Sequence, residues 1–226
     1  AKTGHTGGTL SSLDILTALY YDVMRVRPGE PEWPERDRFL LSKGHSVEGY
    51  LAILADLGFF PKQELRTFSQ AGSRLIGHPN NAVPGVEECT GALGHGLPIG
   101  VGAALGAKRL GKNYRTYVLM GDGEQGEGSV WEAAMAGANY GLDNLTFILD
   151  NNGLQIDGSN CQVMSLGDLP AKFAAFGFHV IEVADGNDIA QVLAALDQPA
   201  EAGKPTLILC HTVKGKGVSF MEGNNA

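Results

Sequence analysis

Asp122 stands between two glycines just after one apolar run, and Asn151 and Asn152 follow the next apolar run. If both runs are strands, Asp122 and Asn152 leave neighbouring strands at about the same height. A carboxylate, a neutral amide oxygen and the backbone carbonyl of Leu154 are hard donors. Mg²⁺ takes about six oxygens and usually shares one or two carboxylates with a substrate's phosphates. Gly121 and Gly123 would let the main chain approach a diphosphate, and amides at the start of the following helix would favour its charge. Taken singly, Gly-Asp-Gly and Asn-Asn-Gly are ordinary turns, and it is their joint spacing that points to chemistry. Four of the six histidines, His5, His45, His78 and His95, directly follow glycine. Imidazole can pass protons to and from hydroxyl groups near neutral pH and can stabilise a developing oxyanion. A lone histidine is more often a surface or core residue, so the glycine-flanked grouping carries this reading.

The elements that must position these groups alternate. Runs rich in β-forming residues at Thr116–Met120, Leu145–Asp150, His179–Val183 and Thr206–His211 are separated by helical patterns that include Val130–Tyr140 and Asn187–Leu196. Earlier helical patterns are expected at Ser12–Met24, behind serine cap candidates, at Val47–Leu57, ended by Gly58, and at Pro98–Leu110, ended by Gly111. Alternation of this kind predicts an α/β fold with a mainly parallel sheet covered by helices on both faces. Ligands of such folds bind beyond the carboxyl ends of the strands, which is where Asp122 and Asn152 are expected. The segment "GLPIGVGAALGAKRLG" carries many small residues, so its helix should pack closely on another backbone, inside the chain or at a subunit interface. The Pro- and Glu-rich stretch Arg25–Arg38 reads as a surface connection.

Composition narrows the function classes. With 226 residues and 43% hydrophobic content, the chain fits one domain over residues 1–226. A net charge of −8 with 17 Lys and Arg, none clustered, argues against a nucleic-acid surface. No apolar stretch reaches the roughly 20 residues of a membrane span, and "AKTGHTGG" reads as the middle of a sequence, trimmed at the front. Cys89, Cys161 and Cys210 lack metal-ligand spacing, so free thiols and a cytoplasmic location are expected.

Read together, "TGHTGG", "SKGHSVEGY", "GSRLIGHPN", "TGALGHG", "GDGEQGEGSVWEA", "DNNGLQIDG" and "HTVKGKG" occur in an order that resembles the transketolases. The resemblance covers nearly the whole chain and is to their N-terminal, diphosphate-binding half, in the form of the separate N-terminal subunit of a split enzyme. It implies the three-layer thiamine diphosphate-binding fold and transfer of a two-carbon ketol unit between sugar phosphates. By that likeness Asp122, Asn152 and the Leu154 carbonyl hold Mg²⁺, or Ca²⁺ or Mn²⁺ in its place. Gly121, Gly123, His45, Leu93, Gly94 and Ile156 would touch thiamine diphosphate, and His5, His45 and His78 would serve catalysis in the substrate channel. Glu127 and Glu132 match acids at the family's dimer interface, although acids in the first turns of a helix also favour its dipole. His95 and Ala92 depart from the common pattern, which has glutamine and proline there. The implied partner is a C-terminal transketolase subunit carrying the pyrimidine-binding domain, in a heterotetramer of two plus two. A deoxyxylulose-phosphate synthase-like enzyme and a non-catalytic thiamine diphosphate-binding module are the alternatives.

Overall fold

The computed structural model describes residues 4–224. Thr3 of the first motif and the final Asn225 and Ala226 lie outside the described residues. Five parallel strands form the sheet: β1 (Arg38–Leu41), β2 (Thr116–Gly121), β3 (Leu145–Asn151), β6 (His179–Val183) and β7 (Thr206–His211), in the order β1-β2-β3-β7-β6. A two-residue hairpin, β4 (Leu154–Gln155) and β5 (Gly158–Ser159), follows β3. The helices are α1 (Thr6–Ala18), α2 (Val47–Leu57), α3 (Gly96–Arg109), α4 (Gly128–Asn139), α5 (Asn160–Val163), α6 (Leu169–Phe176) and α7 (Ile189–Leu196).

The central strands read as near-continuous apolar runs because both faces are covered. On one face, Ile15, Leu16, Leu51 and Leu54 of α1 and α2 join Val192 of α7 over Leu119, Ile148 and Ile208. On the other, Leu97, Val101, Val130 and Phe173 of α3, α4 and α6 cover Val118, Phe147 and Leu207. The small residues of α3 serve this second contact. A Cβ on Gly100 would come within 2.4 Å of Val118, and one on Gly96 within 2.3 Å of Ser42, so the helix lies closer to the sheet than larger residues permit. Gly102 and Gly106 face open space instead.

Two expectations change. The first helix begins at Thr6 and not at Ser12, and a wider π-type turn over Leu19–Val23 ends it before Met24. The supposed cap residues lie inside it, where the Ser12 hydroxyl donates back to the Gly8 carbonyl and the Ser11 hydroxyl donates to Asp150. Packing overrides the poor helix propensity of Gly7 and Gly8: their missing side chains leave room for Lys214 and for Ser46. Second, β1 is an added edge strand, directly after the Arg25–Arg38 connection.

Candidate active site

The β2 and β3 register pairs Gly121 with Asp150, which sets Asp122 opposite Asn151 at the carboxyl end of the sheet. The chain then turns away from both strands, and the two ends open into a cavity of about 580 Å³. Asp122, Asn152 and Leu154 all line it, with Gly121, Gly123 and Ile156. His5, His45, His78 and Leu93 line the same cavity. The outward motifs of the sequence thus meet in one place. Gly94 lies behind the lining, where its N–H donates to Glu124 at 2.7 Å. His95 is exposed at the N-cap of α3, with Nδ1 3.0 Å from the Leu93 carbonyl oxygen, and stands outside the cavity.

Asp122 is 2% exposed and accepts the N–H of Gly123 at 2.8 Å and of Gly153 at 2.5 Å. Burial pushes its carboxyl up to about 6, against the pull of those two amides. A buried carboxylate with so high a value favours a cation beside it. Asn152 accepts the Leu154 N–H at 3.1 Å, an Asx turn that aims the chain into the β4–β5 hairpin. Ile156 sits on that hairpin 80% exposed, an apolar side chain open on the cavity wall.

Beneath these residues lies a buried polar layer, which reaches the cavity wall through Lys43 and Glu124 and to which the sequence alone assigns no role. Lys43 forms an ion pair with Asp150, and both are almost fully buried. Asp150 also accepts Ser11 Oγ at 2.6 Å and the Thr212 hydroxyl, while Lys43 Nζ donates to the Gly8 carbonyl at 2.9 Å. One pair therefore ties α1, β3 and the segment after β7 together. Removing either partner strands a buried charge, which typically costs about 3–5 kcal/mol. Glu124, 2% exposed, receives the Ser42 hydroxyl and the N–H groups of Gly94 and Gly121. Burial raises its carboxyl above the ordinary range. Lys214 adds a second cation to the lining, lowered by its own burial and by the charge of Lys43. The signal for Lys43 and Lys214 was present in "SKGH" and "TVKGKG", but their neighbours are set only by the fold.

The histidines form one group. The His5 ring centroid lies 5.3 Å from that of His45 and 6.5 Å from that of His78. His78 packs over Gly91, where a Cβ would fall 2.6 Å from the ring. Burial, then the charges of Lys43, His5 and His78, hold His45 down to about 4. His45 is therefore neutral at physiological pH. Because the folded value lies below the ordinary 6.5, the unfolded chain takes up the proton first as pH falls. His45 thus lends stability above pH 6.5 that is lost as the pH drops towards 4, at most roughly 3 kcal/mol. An NMR titration is expected to show its ring protonating near pH 4, and His45→Gln should flatten the acid limb of the stability curve. A His45 ring titrating at its ordinary value would refute this account.

The donors suit thiamine diphosphate with a divalent ion. Among the described residues no group of three or more His, Cys, Asp or Glu side chains is arranged to hold a metal alone. One carboxylate, one amide and one carbonyl, with two lysines nearby, suit an ion that completes its shell with phosphate oxygens. Glu127 and Glu132 lie outside the cavity on exposed positions at the start of α4, and neither side chain has a hydrogen bond or ion pair among the described residues. All three cysteines are free, Cys89 and Cys161 exposed and Cys210 buried. No helix among the described residues is long and apolar enough to cross a membrane.

Comparison with known proteins gives this geometry a family. The sequence profile described as "Transketolase, thiamine diphosphate binding domain" matches residues 1–226. The chain is 52% identical over 225 residues to an apulose-4-phosphate transketolase subunit of Phocaeicola vulgatus, covering 99% of this chain and 79% of the relative. It is 42% identical to a 6-deoxy-6-sulfo-D-fructose transketolase subunit of a Clostridium species, covering 99% of this chain and 82% of the relative. The solved transketolase of Campylobacter jejuni superposes with a TM-score of 0.92 at 33% identity, over 98% of this chain and 36% of that one. A carboxyl-end cavity with a diphosphate-type donor set, on a sheet of this topology and at these identities, means that the chain belongs to the transketolase family, as a thiamine diphosphate-binding N-terminal subunit.

Proposed function

We propose that this chain, as one domain over residues 1–226, is the diphosphate-binding subunit of a two-chain transketolase that transfers a two-carbon ketol unit from a ketose phosphate to an aldose phosphate. The observation that carries this reading is the single cavity lined both by Asp122, Asn152 and Leu154 and by His5, His45 and His78. A binding module needs the first set and has no use for the second.

Thiamine diphosphate, when bound, supplies the electron sink that carbon–carbon bond cleavage beside a carbonyl requires. The chain supplies position and charge. Asp122, the Asn152 side chain and the Leu154 carbonyl hold Mg²⁺, with Ca²⁺ or Mn²⁺ able to substitute, and Lys43 and Lys214 add positive charge. Gly121 and Gly123 leave room for the diphosphate, and Leu93 and Ile156 offer apolar cover to the cofactor. His45, neutral at working pH, acts there as a hydrogen-bond partner and not as a cation. Gly94 acts from behind, through Glu124. His5 and His78 face the sugar and exchange protons with its hydroxyls. A C-terminal transketolase subunit carries the pyrimidine-binding domain, Glu127 and Glu132 lie at the interface, and the assembly is a cytoplasmic heterotetramer of two plus two.

His5→Ala and His78→Ala test the channel. Each is expected to leave cofactor affinity largely intact while lowering kcat/KM for phosphorylated sugars by about 10²–10⁴-fold, the usual contribution of a positioned proton-transfer group. Steady-state kinetics of the assembled enzyme measures the loss, and calorimetry measures the cofactor. Wild-type kcat/KM in both variants would refute the assignment.

A further inference from the structure

We propose that Glu48 is a positioning residue that clamps the Gly4–His5 segment to α2 and so sets the His5 imidazole against His45. The proposal rests on the reading of His5 as a group that meets the sugar. α1 begins without a cap of its own: His5 occupies the N-cap position, its side chain caps no amide, and the first turn holds no acid. A helix start of this kind leaves amide donors without partners. Glu48 supplies the acceptor from another element. Its Oε1 takes the His5 N–H at 2.8 Å, and its Oε2 takes the Thr9 hydroxyl at 2.7 Å, so one carboxylate grips both ends of the first turn. A charged acceptor makes the shorter, stronger kind of hydrogen bond.

The fit around this carboxylate is close. Gly4 has φ +155°, a backbone that residues with side chains rarely adopt, and a Cβ there would lie 2.4 Å from Glu48 Oε1, so a side chain would push the carboxylate off the His5 amide. Glu48 lies in the first turn of α2, directly after the short 3₁₀ turn Gly44–Ser46 that carries His45. One segment therefore holds His45 through its backbone and His5 through a side chain, and the two rings lie 5.3 Å apart. Glu48 does not line the cavity, so it acts through His5 and not on a ligand.

Hydrogen exchange followed by NMR tests the clamp directly. In Glu48→Ala the His5 amide is expected to exchange at least about tenfold faster, while amides in the body of α2 stay unchanged. Glu48→Gln keeps an acceptor oxygen and should hold the rate within about threefold of wild type. In the assembled enzyme Glu48→Ala should lower kcat by about 10- to 100-fold through misplacement of His5, with thiamine diphosphate affinity unchanged. It should add nothing in a His5→Ala background. An unchanged His5 exchange rate in Glu48→Ala, or a full Glu48→Ala loss persisting beside His5→Ala, would overturn the proposal. Wild-type turnover in His5→Ala alone would instead refute the sugar-facing role of His5, and the exchange rates would then decide the clamp by themselves.

Discussion

Titrating an Asp122→Ala chain with thiamine diphosphate and Mg²⁺ is expected to show no saturation even at concentrations about 100 times the wild-type Kd. Asp122 is the only carboxylate in the proposed metal set, so its loss leaves an amide and a carbonyl, which bind a dehydration-resistant cation poorly. Calorimetry of the wild-type chain should also show that neither Mg²⁺ nor cofactor binds well without the other, because neither protein nor diphosphate completes the shell alone. The pH dependence follows from the carboxyl value of about 6. A proton competes with the metal, so affinity should fall about tenfold per pH unit below that value and level off above it. Folding has the opposite sign. A value raised above the ordinary 3.8 means that the folded state favours the protonated acid. The stability this lends is complete below pH 3.8 and is lost as the pH rises through 6, roughly 3 kcal/mol at most. A bound cation relieves that cost, so stabilisation by cofactor and metal should be larger at pH 8 than at pH 5. Near-normal binding by Asp122→Ala would remove it from the metal site.

What could be read from the sequence follows a physical pattern. β2, β3 and β7 were legible because strands covered on both faces must be apolar along their length, the edge strand β6 through its β-branched Val180, Ile181 and Val183, and glycine marks where α2 stops. β1 was not, since Arg38–Leu41 is only four residues long, follows a Pro-rich connection and takes its strand character from pairing with β2. The start of α1 was hidden because two glycines argue against a helix locally, and the space they leave for Lys214 and Ser46 appears only in the fold. The same division runs through the site. Asp122, Asn152 and the three histidines, which the structure places on one cavity wall, could be named from spacing because each stands in a turn marked by neighbouring glycines. Lys43, Glu124, Asp150 and Glu48 could not be given roles, because each acts on a residue 30 or more positions away, such as Gly94 for Glu124 and Ser11 for Asp150.

Assayed alone, the 226-residue chain is expected to show no ketol transfer at any concentration of cofactor, and adding a pyrimidine-binding C-terminal transketolase subunit should raise turnover by at least about a thousandfold. The reason lies in what its cavity offers. Asp122, Asn152, Lys43 and Lys214 suit the phosphates and the ion, but Ile156 stands 80% exposed, with nothing described over its outer side. Transketolases activate the aminopyrimidine ring through a glutamate of the pyrimidine domain, and the acids lining this cavity are Asp122, Glu124 and Asp157. The first is assigned to metal and the second is spent on Ser42, Gly94 and Gly121. Relatives that this chain matches over 79% and 82% of their length are named as subunits, whereas it spans 36% of a full-length transketolase. In the two-chain reading proposed above, the partner subunit supplies that glutamate. Light scattering of the mixture should report two copies of each chain, the commonest closed symmetry applied to a pair of chains. Glu127→Ala with Glu132→Ala should weaken that assembly and leave metal-dependent cofactor binding in place, because both side chains lie outside the cavity. Robust turnover by this chain alone, with contaminating partner excluded by mass spectrometry, would overturn the two-chain reading, since the activating carboxylate would then have to come from Asp157 or another residue of this chain.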